Sequence, residues 1–518
     1  MNHRSKTSKD KLLLIGQVIR KKTVILIPFL FSFIFLCFYA KTRLLEHNVY
    51  PVGDLAADML LANQIDTKGY LLTGQYSRFG FHHPGPFFFY LTHLFEGIFS
   101  SLLPSRAAVW TLAMIFFNSL LLAFSAQLAF ENSPQLSSNI IKRIFFTIVI
   151  LYYFKDYAIS TWPPDKIVIP FMAFLVTLPY IAKRDLRYFP YSILLGSILF
   201  HGRVDSPIFT FLPLICVMIF GFLKNNGPLN PSEWRSISGG VIIGLVFLIP
   251  ILLDTAINRP PNLALIIGSM HQIKIASSSW SDLIKYLVEY WKEAIGLIFF
   301  SFIILFIFMG KKIVEDWFNK ALFTISAFET VLFLIYFKST PPPLFHYMAE
   351  FYLAVPLLII SRPFINSWKD FSYYYWNENE HLKFFSAILI NVIIIVVPVI
   401  LAYRMTKMTG SPIWDQNKDI PRIAAEIVKL TKPSLSIRME HPHTLWPLES
   451  GLLLEFKKEN IRACSTFQGL SFLFTPDMTC NSYLSSNVKL LEAKDCERKC
   501  VSIIGDIGLE SVKKERKY

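Results

Sequence analysis

Asp54 and Asp58 stand four residues apart, so on a helix both carboxylates share one face. Farther along the same polar stretch come Arg78, the adjacent imidazoles of His82 and His83, and the breaker Pro84–Gly85–Pro86. A carboxylate near imidazoles and a guanidinium suits general-base chemistry beside an anionic leaving group. The acid would take a proton while the cations meet the departing charge. A helix beginning at Pro86 would add backbone N–H groups aimed at the same anion. These residues also have ordinary uses: an acid here could cap the next helix or stand in water, and either histidine could only anchor the loop.

Four other stretches offer partners. Lys155–Asp156 and, after Trp162–Pro163–Pro164, Asp165–Lys166 supply two more carboxylates beside lysines. They read either as an interfacial loop with paired charges or as a second acid or metal ligand. His201–Gly202–Arg203–Val204–Asp205 puts ionisable groups at the edge of an apolar run, which is costly unless they pair or line a cavity. Arg203 is thus either an ion-pair partner of Asp205 or a guanidinium aimed at a phosphate. Arg259 and His346 sit in proline-rich connections and could touch substrate, or those connections could simply be rigid. No set of residues identifies a metal site or a cofactor, and a divalent metal stays open.

The elements that must position these groups are apolar. The chain has 518 residues, 53% of them hydrophobic, with 48 phenylalanines and a mean hydropathy of +0.44. Apolar runs of about twenty residues with almost no charge are the signature of bilayer-spanning helices. The first covers 23–40 and, with no small-residue cleavage motif after it, reads as a signal anchor. Others are expected at 107–130, 144–160, 166–182, 188–204, 207–223, 237–254, 293–310, 319–337, 346–361 and 384–402, about eleven in all. The net charge of +14 lies in short loops between these runs, which fits the positive-inside rule and argues against nucleic acid as a partner. The basic residues 1–22 would be cytoplasmic. The first extracytoplasmic loop, about 41–106, would hold Asp54 and the histidines. Residues 87–99 are too greasy for water and too polar to span, so they are expected to lie in the membrane interface.

Residues 406–518 read as a small α/β domain outside the membrane, with helices near 420–430 and 445–460 and strands near 434–439, 461–467 and 501–505. Of six cysteines, Cys464, Cys480, Cys496 and Cys500 gather here. An even cluster suggests two disulfides in an oxidising compartment, with zinc as the competing reading.

The pattern resembles the GT-C class of polytopic glycosyltransferases, which use polyprenyl-phosphate-linked sugars. It resembles more narrowly a group of bacterial GT-C-like membrane proteins. The likeness rests on Asp54 just past the first span and on Phe79–Gly80–Phe81–His82–His83–Pro84–Gly85–Pro86 running on to Tyr90–Leu91. Trp162–Pro163–Pro164, Pro260–Pro261–Asn262–Leu263, Trp446 and Gly451 extend it. The resemblance implies a GT-C-like helical domain over 23–405 in a bacterial inner membrane, and Asp54 as the base that activates an acceptor. It also implies Asp156 as a second functional acid, and basic side chains such as Arg203 for the donor phosphate. Asp58, Arg78, His82, His83, Asp165, Arg259 and His346 are the further candidates for binding substrate. The expected activity is transfer of a sugar from a polyprenyl-phosphate donor to a glycan, glycolipid or protein acceptor, with inversion. The rival is a transporter or lipid flippase. That class should show paired repeats with interrupted helices, and the sequence shows none.

Overall fold

A computed structural model of the chain describes residues 25–77, 79–131, 136–225, 227–273, 277–295, 316–340, 342–374, 416–431, 436–466, 479–480, 487–496 and 500–511. It divides into two compact units. One comprises Met1–Lys41, Thr111–Ile249 and Gln272–Gly410; the other comprises Thr42–Trp110, Pro250–His271 and Ser411–Tyr518.

Five described helices are long and apolar enough to cross a membrane: Arg106–Ala129, Pro163–Ala182, Ser206–Lys224, Pro231–Ile257 and Trp317–Lys338. The chain is a multi-pass membrane protein. The apolar helix Ile25–Tyr39 is shorter than these, and Leu136–Ile159 and Phe189–Gly202 occupy the expected runs at 144–160 and 188–204. In the most apolar stretch of Pro163–Ala182, 89% of the residues are buried, against only 6% in that of Pro231–Ile257, which offers its apolar surface outward. The expected spans at 293–310 and 384–402 fall almost wholly outside the described residues. Basic groups in the connections are engaged locally, as where Arg184 pairs with Glu233 at 2.9 Å and Arg362 with Asp316 at 2.5 Å.

The second unit is wider than the α/β tail expected at 406–518, because the tail shares it with the first loop. Its sheet runs β4–β3–β5–β7–β6, where β3 is Ile437–Glu440, β4 Ala463–Ser465, β5 Val488–Glu492, β6 Ser502–Ile504 and β7 Ile507–Ser511. β3 pairs parallel with β4 and β5, and β7 antiparallel with β5 and β6. Helices Ile420–Thr431 and Trp446–Lys458 supply Ile423, Ile427, Leu452 and Phe456 to the core over it. Leu60, from the first loop, is part of that same core and fully buried. Cys464–Cys480 and Cys496–Cys500 are disulfides, so the sulfurs are joined in pairs, as expected over zinc.

Behind this core lies a buried charge pair. His441 Nε2 meets Glu449 Oε2 at 2.5 Å, and the ring's Nδ1 meets the Pro442 carbonyl at 2.6 Å. An oxygen partner on each side favours donation by both ring nitrogens, as in the imidazolium form. Burial alone would lower the His441 pKa, but the hydrogen bond to Glu449 and its charge outweigh burial, and the pKa is raised.

Candidate functional site

Asp54 lies in the first turn of the helix Gly53–Lys68, where a carboxylate is favoured by the unpaired N–H groups. Gly53 opens this helix at φ +58°, a left-handed conformation that a side chain would resist. Asp54 is half-buried and Asp58, one turn on, is 2% exposed. A buried carboxylate needs hydrogen-bond partners, and a short hairpin brings them. β1 (Tyr76–Ser77) pairs antiparallel with β2 (Phe81–His82), and Tyr76 faces His82 in the register. Gln75 Nε2 donates to Asp58 and the Tyr76 hydroxyl donates to Asp54. Two consecutive residues thus meet two acids that sit one helical turn apart.

The histidine arm of the hairpin is fixed by its backbone. His83 N–H donates to the Gln75 carbonyl at 2.7 Å. Asn262 clamps His82 as a neighbouring strand would: its Oδ1 accepts from His82 N–H at 2.8 Å, and its Nδ2 donates to the His82 carbonyl at 2.7 Å. Asn262 is itself set by Asp254, which accepts its backbone N–H at 2.7 Å. Arg259 points elsewhere: its Nη1 donates to the carbonyls of Thr255 and Asn258, at 2.9 and 2.8 Å, closing the helix before it. Arg78 lies outside the described residues.

The helix Phe87–Phe99 follows the hairpin, one residue later than a start at Pro86. It buries Phe88, Phe89, Thr92 and Phe95 on one side and exposes Tyr90, Leu94 and Ile98 on the other. Its polar residues are spent on anchoring. Glu96 accepts from Arg106 Nε at 2.5 Å, and Arg106 Nη1 donates in turn to Asn63 Oδ1 at 2.6 Å on the Asp54 helix.

The remaining candidates belong to the other unit. Asp156, at the end of Leu136–Ile159, accepts the Tyr39 hydroxyl at 2.6 Å and pairs with Lys155 at 3.5 Å; its side chain is 53% exposed. Asp165 occupies the first turn of Pro163–Lys166, and Trp162, which precedes that helix, packs its ring edge-on against Tyr347. Arg203 makes two bonds to Asp205, both 2.7 Å, so of the two readings the ion pair is present. Its guanidinium also lies over the Phe351 ring at 5.2 Å. Next in sequence, Glu350 meets His346 Nδ1 at 3.3 Å, and the His346 ring stacks on Tyr290. Arg203 and His346 therefore share one cluster.

Sequence reasoning passed over Gln75 and Tyr76. The signal that could have found them is Gly80, at φ +82°: folding the chain back there sets Tyr76 opposite His82.

Among solved structures, the chain is similar to ArnT from Cupriavidus metallidurans bound to undecaprenyl phosphate. The TM-score is 0.56 at 13% identity, and the match covers 95% of this chain and 97% of that one. The fold is the GT-C fold. The apo state of the same ArnT gives 0.56 and 13%, over 96% of this chain and 98% of that one. An Archaeoglobus fulgidus oligosaccharyltransferase in complex with zinc and sulfate gives 0.48 and 14%, over 88% and 62%. No family model matches the chain, and no curated protein sequence does. At such identities the GT-C likeness concerns the path of the backbone, and the roles of individual side chains rest on their chemistry.

Proposed function

We propose that this chain is a membrane glycosyltransferase that moves a sugar from a polyprenyl-phosphate donor to an acceptor hydroxyl outside the cytoplasm, with Asp54 as general base. The observation that carries the reading is the setting of Asp54: a half-buried carboxylate in a helix's first turn, hydrogen-bonded by Tyr76, in a chain that shares the fold of a protein crystallised with undecaprenyl phosphate. Asp54 takes the acceptor proton, the oxygen attacks the anomeric carbon from the face opposite the phosphate, and the bond from that carbon to the phosphate oxygen breaks. The configuration inverts and polyprenyl phosphate leaves. Arg203 serves the donor phosphate, His346 is a further residue for binding substrate, and Asp156 serves as a second acid. The two disulfides support an extracytoplasmic position for residues 406–518, with the N-terminus cytoplasmic in a bacterial inner membrane. The acceptor is a glycan, glycolipid or protein.

The test compares envelope glycans and glycolipids by mass spectrometry in cells with the protein, without it, and with Asp54→Asn. Removal of a general base costs about 10²–10⁴ in rate. One product should therefore vanish both in the deletion and in the variant. Wild-type product levels with Asp54→Asn overturn the assignment of the base; an identical profile in all three cells favours a transporter.

A further inference from the structure

We propose that Tyr76 is a positioning residue for Asp54 and that Trp446, from the C-terminal segment, holds Tyr76 in place. The segment then takes part in setting up the base. This inference rests on Asp54 being that base.

Three observations within one unit lead to it. The Tyr76 hydroxyl donates to Asp54 Oδ1. The Trp446 ring meets the Tyr76 ring edge-on, with centroids 6.2 Å apart at 84°, a favourable aromatic geometry. The helix that Trp446 begins also rests on the first turn of the Asp54 helix, where the Ser450 hydroxyl, shared with the Pro447 carbonyl at 2.7 Å, reaches the Gly53 carbonyl at 3.2 Å. A Cβ at Gly53 would lie 3.6 Å from Pro447 and 4.0 Å from the Trp446 ring, so nothing intervenes between the two helices. Tyr76 is therefore held at both ends: its backbone by pairing with His82, its ring by the indole. A donor held this firmly fixes the plane of the carboxylate and favours its charged form.

The experiment needs neither the sugar nor the acceptor. Full-length protein in detergent is treated with a water-soluble carbodiimide and labelled glycine ethyl ester, which modify protonated carboxyl groups. Peptide mass spectrometry then follows Asp54 across pH. Tyr76→Phe, which keeps the ring and removes the donor, moves the half-modification point of Asp54 up by about one pH unit, tenfold in protonation at fixed pH. Trp446→Phe, which keeps an edge against Tyr76, moves it less than Trp446→Ala. Neither Trp446 change moves it further once Tyr76→Phe is present. A merely structural tyrosine or tryptophan would leave that point where it was, and an unmoved point in Tyr76→Phe overturns the proposal. An equal effect of Trp446→Ala with and without the hydroxyl overturns the part played by Trp446. The two readings fail separately: product retained with Asp54→Asn removes the base, while labelling reports the hydrogen bond alone.

Discussion

Two helical glycines should answer to alanine with opposite signs. At Gly451 an added Cβ would lie 2.7 Å from the Pro51 carbonyl, 2.9 Å from Val52 Cγ1 and 3.0 Å from Ile420 Cδ1. Ordinary carbon contacts need about 3.5 Å, so the helix Trp446–Lys458 must draw back by roughly half an ångström. Overpacking of this kind costs about 1–3 kcal/mol. The retreat also weakens the Ser450–Gly53 hydrogen bond, worth about 1 kcal/mol. Against this stands a gain of about 1 kcal/mol in helix propensity. The net expectation for Gly451→Ala is a loss of about 1–3 kcal/mol, centred where the helix meets the start of the Asp54 helix. At Gly97 nothing lies within 4 Å of the new methyl. Only the propensity term remains there, and Gly97→Ala should stabilise by up to about 1 kcal/mol. Hydrogen exchange in detergent reads both, on peptides covering 53–68, 446–458 and 87–99. Each 1.4 kcal/mol is tenfold in the opening equilibrium. Protection at 446–458 in Gly451→Ala equal to or above the wild type would refute the close approach.

Two further predictions follow from buried charges. Because the His441 pKa is raised in the fold, the pair with Glu449 contributes stability below the unfolded value of about 6.5 and loses it as pH climbs through the folded value. Exchange at 437–440 and 463–465, corrected for its intrinsic pH dependence, should rise on the alkaline side, and His441→Gln should flatten the response. Arg203 and Asp205 are 14% and 6% exposed, so Asp205→Ala strands a cation and should cost about 3–5 kcal/mol, read as a lower unfolding temperature in detergent. The double change Arg203→Met with Asp205→Leu should restore stability but not sugar transfer; restored transfer would remove Arg203 from the donor site.

The spans were legible because hydropathy is a one-dimensional signal. The run read at 107–130 is the helix Arg106–Ala129, and that at 319–337 is Trp317–Lys338. Alternation and breakers likewise disclosed the tail, where 445–460 became Trp446–Lys458 and 501–505 became Ser502–Ile504. Contacts across long separations leave no local period. Ser450 and Gly53 are 397 residues apart, and nothing in either neighbourhood announces the other. Trp446 and Gly451 drew notice only through family resemblance, with no hint of what they touch. Arg203 shows a different limit. Its spacing from Asp205 permits pairing and phosphate binding alike, and the fold brings the guanidinium onto the Asp205 carboxylate.

The union of tail and first loop has a physical cause in the Asp54 helix itself. Along Gly53–Lys68 the buried residues include Leu55, Ala56, Ala57, Met59, Leu60, Leu61, Ala62 and Ile65, which point to every side. Apolar residues on every side of a helix must be covered on every side. Leu55, Met59 and Ile65 pack with Phe89 and Trp110, while Leu60 enters the core of the tail. Without the tail, Leu60 and the surface around Gly53 would face water, and burying a leucine is worth about 1.5–3 kcal/mol. The tail therefore adds to the hold on this helix, and the helix carries Asp54. A base must keep its geometry to well within an ångström to be useful. Packing on two opposite faces, with hydrogen bonds from Gln75 and Tyr76 at the acids, meets that demand on a segment that would otherwise be a mobile connection.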